Sequence, residues 1–598
     1  MRHVSGVGEF GGAQRGPASR RRREARSRLL ALLAAVAVLI LAAFLVLAGG
    51  SGGEPAAQKL AQDYANAWSR GDYAQLYADV EHGKGRGISL TRFTAAFQAA
   101  LGTSTATGAI VGRARTPSGG LVTVPVSLRT RVFGTIQTAW ELPIVDSGAG
   151  ARVAWGPSLA FPGLHRGEML VRRSFLPRRG RLLTRNGSSL DALGPSASYI
   201  AGSVGPPPPQ RARQLHNAGF PPTAQVGLTG LQEVFDTALS GAPGGELLAG
   251  TRLLASAPSR PAQTVRTSLS PSLQQLAVTT LGGQEGGILV MRPDTGEILS
   301  LAGSPFSELQ PPGSTFKMVT LTAVLLAGLA KPQTTFPLAT STTIDGFTLH
   351  NANDENCGGT LANAFAVSCN SVFAPLGAKA GGARLVDAAM RYGFNSPPAI
   401  PIAAESTIPP AAKIGSQLDV ASSAIGQGQV QATVLQMATV GATIALGGRR
   451  PTPTLALNAP ANLKTVLPAA VARTIRSLML GVVRYGTGVS AQIPGVLVAG
   501  KTGTAELATT QPSCPPGQSN SCTTTPNDPK NTDAWFVAFA PALHPRVVVG
   551  VLLAHDGAGG DTAAPVAKTM LEAALKQTKP APLARATTPL PRPTPPGR

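Results

Sequence analysis

Histidine and cysteine are scarce in this chain of 598 residues, at seven and four copies, and nowhere do they stand at the spacing that holds zinc. No metal site is expected. Aromatic residues are only 5% of the chain, and none of them interleaves with a run of Lys and Arg. The formal charge of +22 therefore does not read as a nucleic-acid surface, which needs a basic stripe with stacking residues. Acidic residues are also few, 30 against 52 Lys and Arg. A cationic surface of that kind suits anionic lipids and anionic polymers. The 69 Gly and 51 Pro make the chain loop-rich, but with 43% apolar residues it stays within the globular range. Its length exceeds one core and predicts several folded units.

The basic charge is concentrated first at the N-terminus. Residues 1–28 carry eight Arg against Glu9 and Glu24. Directly after Arg28, the stretch Leu29 to Ala48 is uninterruptedly apolar, long enough to cross about 30 Å of hydrocarbon. The positive-inside rule then puts the tail in the cytoplasm and everything after Gly49 outside. A cleaved signal peptide is the alternative, but its apolar core is normally only about 7–15 residues. An uncleaved single-pass anchor in the cell membrane is therefore expected, with the bulk of the chain extracytoplasmic. Four cysteines fit that oxidising side. Cys514 and Cys522 bracket a polar loop and make a possible disulfide; Cys357 and Cys369 are the other possible pair, with a buried free thiol at Cys369 left open.

Beyond the GGSGG linker, Ala57, Leu60, Tyr64, Ala67 and Trp68 recur at helical spacing. Val122, Val124, Val126 and Leu128 then alternate as a strand does, and Ala139 to Val145 forms a second extended run. A helix followed by a curled antiparallel sheet predicts a small α+β cone over 55–157. Residues 158–267 are rich in Pro, Gly and Arg with short apolar runs, an elongated module. From residue 268 to 577 the pattern is that of a larger α+β domain, an antiparallel sheet flanked by helices. Its first two strands meet at Pro293-Asp294-Thr295-Gly296, further extended runs at 495–498, 535–540 and 547–554 would join them in one sheet, and Phe316 to Ala330 and Leu361 to Val367 read as helices. The Pro-rich residues 578–598 predict a flexible extended tail.

Three short motifs lie in that large domain: Ser314-Thr315-Phe316-Lys317, Ser368-Cys369-Asn370 and Lys501-Thr502-Gly503. Pro311-Pro312-Gly313 ends a turn before an apolar helix, which places Ser314 at the helix N-terminus and Lys317 on the same face. A serine hydroxyl is a weak nucleophile until a base takes its proton, and a lysine serves only when its amine is partly neutral. An apolar helix and the positive end of its dipole both push the Lys317 pKa down. Ser368 is placed to relay a proton, and Asn370 to bond a substrate amide. Lys501 with Thr502 and Thr504 makes a carboxylate-recognising corner on a strand edge, and Gly503 permits close approach of an extended peptide. The backbone N–H groups of Ser314 and Thr504 are the natural oxyanion donors.

Singly these motifs are weak; together, and in this order, they are specific. The segments QPPGSTFKM, AVSCNSVFA, AIGQGQVQATVLQMA, GVVRYGTG, AGKTGTAE and TDAWFVAFAP resemble the transpeptidase domain of class B penicillin-binding proteins. PRRGRLLTRNGSSL (177–190) and VGLTGLQEVFD (226–236) resemble that family's dimerisation or pedestal domain, with Thr184 where the family usually has Asp. DYANAWSRGDYAQLYADV (63–80) resembles the NTF2-like domain of the methicillin-resistance type, read here as a spacer.

The resemblance implies a β-lactamase-like serine transpeptidase fold and peptidoglycan D,D-transpeptidase activity without a cofactor. Stem peptides would be cross-linked through a Ser314 acyl-enzyme, and β-lactams would acylate the same residue. It also implies a polytopic glycan polymerase and other wall-synthesis proteins as partners. Gln427-Gly428 and Gly486-Thr487-Gly488 are expected to support the rim of the site. The alternatives are a D,D-carboxypeptidase, a penicillin-binding sensor, or a wall-synthesis scaffold. One apolar span and no His-Glu-x-x-His count against the sensor, and the intact motif set against the scaffold. A polymerase domain with its catalytic acid is not found between residues 49 and 268, and no extra deacylating base of the β-lactamase kind is evident.

Overall fold

The computed structural model describes residues 56–81, 87–147, 150–193, 200–507 and 529–578. The expected anchor at 29–48, the Cys514–Cys522 pair and the Pro-rich tail lie outside the described residues. Among the described residues, no helix is long and apolar enough to cross a membrane. The contacts divide the chain into two compact units.

The first unit contains helices α1 (Ala56–Arg70), α2 (Tyr73–Ala78) and α3 (Leu90–Ser104), followed by strands β1 (Ala106–Val111), β2 (Leu121–Thr130), β3 (Thr135–Asp146) and β4 (Ala151–Val153). The strands form one antiparallel sheet in the order β1-β2-β3-β4. The alternation read from β2 is the reason: Val122, Val124, Val126 and Leu128 are all buried against the helices. Asp72 and Ser89 cap α2 and α3 through their side chains, so each helix starts where its first free N–H groups find an acceptor. The core is aromatic, with Trp140 5.5 Å from Tyr64 and 5.1 Å from Trp68, ring centre to ring centre.

This unit does not end with the cone. Strands β5 (Leu170–Phe175), β6 (Gly244–Ala249) and β7 (Arg252–Ala257), all from the segment expected to be a single 158–267 module, belong to it. They form a second sheet in the order β7-β6-β5.

Most of the rest of that segment groups with the second unit, around a buried carboxylate. Asp236, the last residue of VGLTGLQEVFD, accepts from Arg179 at 2.8 Å, Arg211 at 3.0 Å, the Ser240 hydroxyl at 3.0 Å and the Gly227 N–H at 2.8 Å. Burial alone would raise its pKa, but the Gly227 N–H, Arg179 and Ser240 together hold it below the usual carboxylate range. Thr184 closes its own turn, its hydroxyl bonded to Asn186 and 2.7 Å from the Ser188 hydroxyl. The Asp-to-Thr departure thus keeps a turn contact.

The large domain is built on strands β8 (Gly286–Met291), β9 (Ile298–Gly303), β14 (Ala499–Glu506), β15 (Thr532–Ala540) and β16 (Val547–Leu553). Between β9 and β14 lie four short strands, β10 (Thr335–Ala339), β11 (Ser341–Ile344), β12 (Phe347–His350) and β13 (Cys357–Thr360). The main sheet is antiparallel in the order β9-β8-β16-β15-β14, which leaves β14 at the edge. Both faces of β15 are apolar, so the sheet is covered twice. Trp535, Val537 and Phe539 pack on one side with α5 (Lys317–Leu326), α7 (Asn370–Ala380) and α8 (Val434–Ala445). Ala534, Phe536 and Ala538 pack on the other with α4 (Pro271–Leu281) and α10 (Ala563–Gln577). The helices α6 (Leu361–Ala366) and α9 (Ala469–Arg484) complete the first layer. The extended run expected at 495–498 instead folds back on itself, with Gly495 at φ +73° and a bridge from Ile493 to Val496, and β14 begins at Ala499.

Candidate active site

Ser314 lies in a single 3₁₀ turn, Gly313–Phe316, and Lys317 is the first residue of α5. Gly313 sits at φ +49°, and a side chain there would bring its Cβ to 2.7 Å from the Thr504 carbonyl oxygen. The turn that carries Ser314 is therefore pressed directly on β14. Gly503 meets it from the other side, since a Cβ at 503 would lie 2.8 Å from the Pro312 oxygen and 3.0 Å from Thr315 Cγ2. This gives a second reason for glycine at 503 beside the peptide approach expected from the sequence. Its missing side chain admits the serine turn, a close approach between two motifs.

The Lys317 side chain is fully buried, and its Nζ donates to the Ser368 carbonyl at 2.5 Å and to Asn370 Oδ1 at 2.7 Å, with Ser368 Oγ at 3.3 Å. Lys501, equally buried, donates to Ser368 Oγ at 2.8 Å and to the Thr502 carbonyl at 3.1 Å. One serine hydroxyl thus stands between two amines. Among the described residues no carboxylate acts on either lysine. Each instead has an aromatic ring nearby, Phe373 for Lys317 and Phe365 for Lys501, both at 5.6 Å.

Burial is the main reason the Lys317 pKa falls well below its ordinary value, and the charge of Lys501 is the second. The apolar surroundings expected from the sequence thus act on Lys317, and the neighbouring lysine is a further cause that only the fold reveals. Burial also lowers Lys501 to about 7. A neutral Lys317 has two N–H bonds to give, and Ser368 O and Asn370 Oδ1 take them. Its lone pair is left for a hydroxyl proton.

Ser368 adopts φ +65°, a left-handed conformation that a non-glycine residue holds only when its surroundings fix it. Here α6 ends at Ala366, two residues before it, the Cys369 N–H returns to the Ala364 carbonyl, and α7 begins at Asn370. Cys369 is also bonded to Cys357 on β13. Of the alternatives left open for these two cysteines, the disulfide is the one found.

Thr502 is buried, and its hydroxyl lies 2.6 Å from that of Thr487. Thr487 was expected only as rim support, yet it stands next to the carboxylate-recognising corner. A Cβ at Gly486 would reach 2.1 Å from the Ala366 oxygen, which explains the glycine before it. Gly426 supports the serine turn in the same way, its carbonyl accepting from the Gly313 N–H at 2.9 Å.

Two residues at the other end of the cleft were not singled out from the sequence. Glu506 ends β14, and His350 ends β12 with its imidazole 2.6 Å from Asp354. Asn370 Nδ2 donates to the His350 carbonyl at 2.8 Å. The structure thus brings Ser314, Lys317, Ser368, Asn370, Lys501, Thr502, Gly503 and Thr504 into one site. Among the described residues no three His, Cys, Asp or Glu side chains gather as a metal would require.

Comparison with known proteins agrees with this geometry. Residues 286–572 match the penicillin-binding protein transpeptidase domain, and residues 56–168 the NTF2-like N-terminal transpeptidase domain. A peptidoglycan D,D-transpeptidase PbpA of Mycolicibacterium smegmatis is 33% identical over 420 residues, which are 58% of this chain and 80% of that protein. Among solved structures, the D,D-transpeptidase domain of a peptidoglycan glycosyltransferase from Eggerthella lenta superposes with a TM-score of 0.53 at 28% identity. The match covers 67% of this chain and 99% of that one. A ceftriaxone acyl-enzyme of penicillin-binding protein A from M. tuberculosis shares the fold, with a TM-score of 0.51 at 24% identity over 67% of this chain and 98% of that one. With both domain matches in the expected order and a relative covered over four fifths of its length, the chain belongs to the class B penicillin-binding proteins.

Proposed function

We propose that this chain is a peptidoglycan D,D-transpeptidase that works through an acyl-enzyme on Ser314. The observation that carries the reading is the pair of buried lysines joined through the Ser368 hydroxyl, with no carboxylate among the described residues acting on either. A general base must be neutral at working pH, and burial beside a second amine is a direct way to keep a lysine so. Lys317 takes the Ser314 proton as Oγ bonds to the carbonyl carbon of the penultimate D-Ala. The backbone N–H groups of Ser314 and Thr504 face the developing oxyanion. As the C–N bond breaks, a proton passes through the Ser368 hydroxyl to the nitrogen of the departing D-Ala. The ester remains until an acceptor amine on a neighbouring strand attacks it, loses its proton along the same path and restores the Ser314 hydroxyl. Lys501, Thr502 and Thr504 hold the terminal carboxylate.

The arginine-rich tail and the apolar stretch at 29–48 support a single-pass membrane anchor with an extracytoplasmic catalytic domain. The cone then serves as a spacer, and a polytopic glycan polymerase is the partner that the family membership suggests.

Fluorescent penicillin tests the reading. A long-lived adduct on the peptide containing Ser314, absent in Ser314→Ala, is expected. A D-Ala-D-Ala pentapeptide with an added amine acceptor should then give the amide product. Rapid turnover of the label would point to a β-lactamase, hydrolysed peptide alone to a carboxypeptidase, stable label without either product to a sensor, and no label at all to a scaffold.

A further inference from the structure

Beside the catalytic helix, the second unit holds a cavity of about 150 Å³. Its walls are the end of the helix Gly382–Tyr392, the segment 396–399, the first turns of α8 and the segment 450–453. Pro397, Pro398, Pro451 and Pro453 stiffen two of these walls. The wall at Tyr392 also meets α5, because the Tyr392 hydroxyl lies 2.8 Å from that of Thr322 and the Phe394 ring packs edge-on against Phe316. The cavity is nevertheless separate from the catalytic cleft. None of Ser314, Lys317, Ser368 or Lys501 lines it.

Three polar groups in the lining have bonding capacity to spare. Arg450, half-buried, is the one charged side chain there, and it donates to the Arg391 carbonyl at 3.1 Å. Among the described residues no carboxylate pairs with it; Asp387 is engaged by Arg391 at 2.8 Å. A guanidinium has five N–H donors in a planar fork that matches a carboxylate, so most of its donors remain for a ligand. Ser406 is only 4% exposed, and its Oγ accepts from the Thr433 N–H at 3.0 Å. Its own proton has no acceptor among the described residues. Gln436 donates through Nε2 to the Tyr392 carbonyl at 2.9 Å, and its Oε1 accepts from no described residue. The rest of the lining includes Leu435, Ala399, Ala404 and the proline rings, which favour an aliphatic body over a bare inorganic anion. At about 30 Å³ per water, the volume takes about five or six non-hydrogen atoms.

We propose that this cavity is a binding site for a short aliphatic carboxylate, held by the Arg450 guanidinium and the Ser406 hydroxyl, with Gln436 Oε1 accepting from a polar substituent. The inference goes beyond the transpeptidase reading and does not depend on it.

The test titrates the full-length chain with propanoate and with lactate, read by saturation transfer to their methyl protons, with inorganic phosphate as competitor. Both acids should bind the wild type. Arg450→Gln should weaken them about tenfold or more, the value of a charge-assisted hydrogen bond. Arg450→Lys keeps the charge without the fork and should show a smaller loss. Ala404→Leu keeps the guanidinium and fills the cavity, so it should abolish the signal even if Arg450→Gln fails to fold; a thermal melt of each variant separates the two cases. Equal signals in the wild type, Arg450→Gln and Ala404→Leu would assign the binding to the general cationic surface and overturn the proposal. Loss in Lys501→Ala with none in Arg450→Gln would place the acids in the catalytic cleft and overturn it as well. Displacement by phosphate at concentrations far below those of the acids overturns the ligand class. No signal in the wild type up to tens of millimolar overturns the site outright, and each of these failures leaves the Ser314 chemistry untouched.

Discussion

The aromatic core of the cone and the catalytic cluster of the large domain both bury polar atoms, and they do so in opposite ways. In the cone, Tyr64 Oη, Trp68 Nε1 and Trp140 Nε1 are buried with no hydrogen-bond partner. These groups are neutral, and ring packing compensates for the missing bonds. In the catalytic cluster every polar atom of Lys317, Ser368 and Lys501 has a partner, yet two groups that are cations in water sit side by side. The first arrangement serves packing. The second holds amines away from their preferred charge state, which is a chemical function at a stability penalty.

The sharpest separation of the two regions is their response to pH. Lys501 is lowered to about 7, so between that value and an unfolded value near 10.4 the unfolded chain binds a proton that the folded one does not. The large domain should gain stability as pH rises from 7 to 10, on the order of 4 kcal/mol from Lys501 at about 1.36 kcal/mol per unit. Lys317 is lowered as well and works in the same direction. The cone should do the reverse. Burial raises the Tyr64 pKa far above its ordinary value, with Asp79 adding to it, so above pH 10 the unfolded tyrosine ionises and the cone loses stability. Tyr392 in the large domain is raised in the same way and opposes the lysine effect above pH 10 only. Denaturation followed from pH 7 to 10 should show the rise, and Lys501→Met should remove the Lys501 share of it while the share of the still-buried Lys317 remains. A flat profile in the wild type would mean that the lysines are charged in the folded state.

Lys317→Arg should lower acylation by about 10³-fold, because a guanidinium cannot accept a proton near neutrality. Trp140→Ala should instead destabilise the cone by about 3–5 kcal/mol while leaving the rate of Ser314 acylation within a factor of two. Stopped-flow acylation and thermal melts of the same preparations check both. A large loss of acylation in Trp140→Ala would abolish the distinction between the two regions.

Those elements whose period is local were legible in the sequence. The helical face of α1, the alternation of β2 and the doubly apolar β15 follow from side-chain spacing, and the three motifs follow from their order. What was not legible depends on distant partners. Strands β5 and β6 pair Leu170 with Ala249 across the whole intervening segment, and nothing near either announces the other. The 3₁₀ turn at Ser314 exists because Gly313 meets Thr504, a contact visible only once β14 is in place. Cys357 could not be matched to Cys369 while three connectivities remained. Thr487 carries no local mark of its role, because that role lies in a hydroxyl 15 positions further on.

The disulfide joins the catalytic cluster to β13, and its loss should be felt there first. Cys357→Ala with Cys369→Ala should destabilise the large domain by about 3 kcal/mol, the value for a loop of this length. It should also slow acylation, since Ser368 and Asn370 on either side of Cys369 hold Lys317. A melt that shifts while the acylation rate stays constant would make the bond purely structural.

The smallest effect expected lies at Thr487. Its hydroxyl meets that of Thr502 at 2.6 Å, with the Ala366 carbonyl at 3.4 Å as its other contact. Thr487→Val keeps the shape and removes the hydrogen bond, so the Thr502 hydroxyl loses the partner that aims it at the substrate carboxylate. A neutral bond of this kind contributes about 1 kcal/mol, which is close to fivefold in rate. Because Lys501 and the Thr502 backbone remain, the loss should fall mainly on ligands that present a carboxylate. Acylation by a carboxylate-bearing β-lactam should therefore slow about fivefold, and acylation by its uncharged ester much less. An equal loss for both would assign Thr487 to holding the Ala366 end of α6. No loss for either would show that Thr502 is oriented by Lys501 alone.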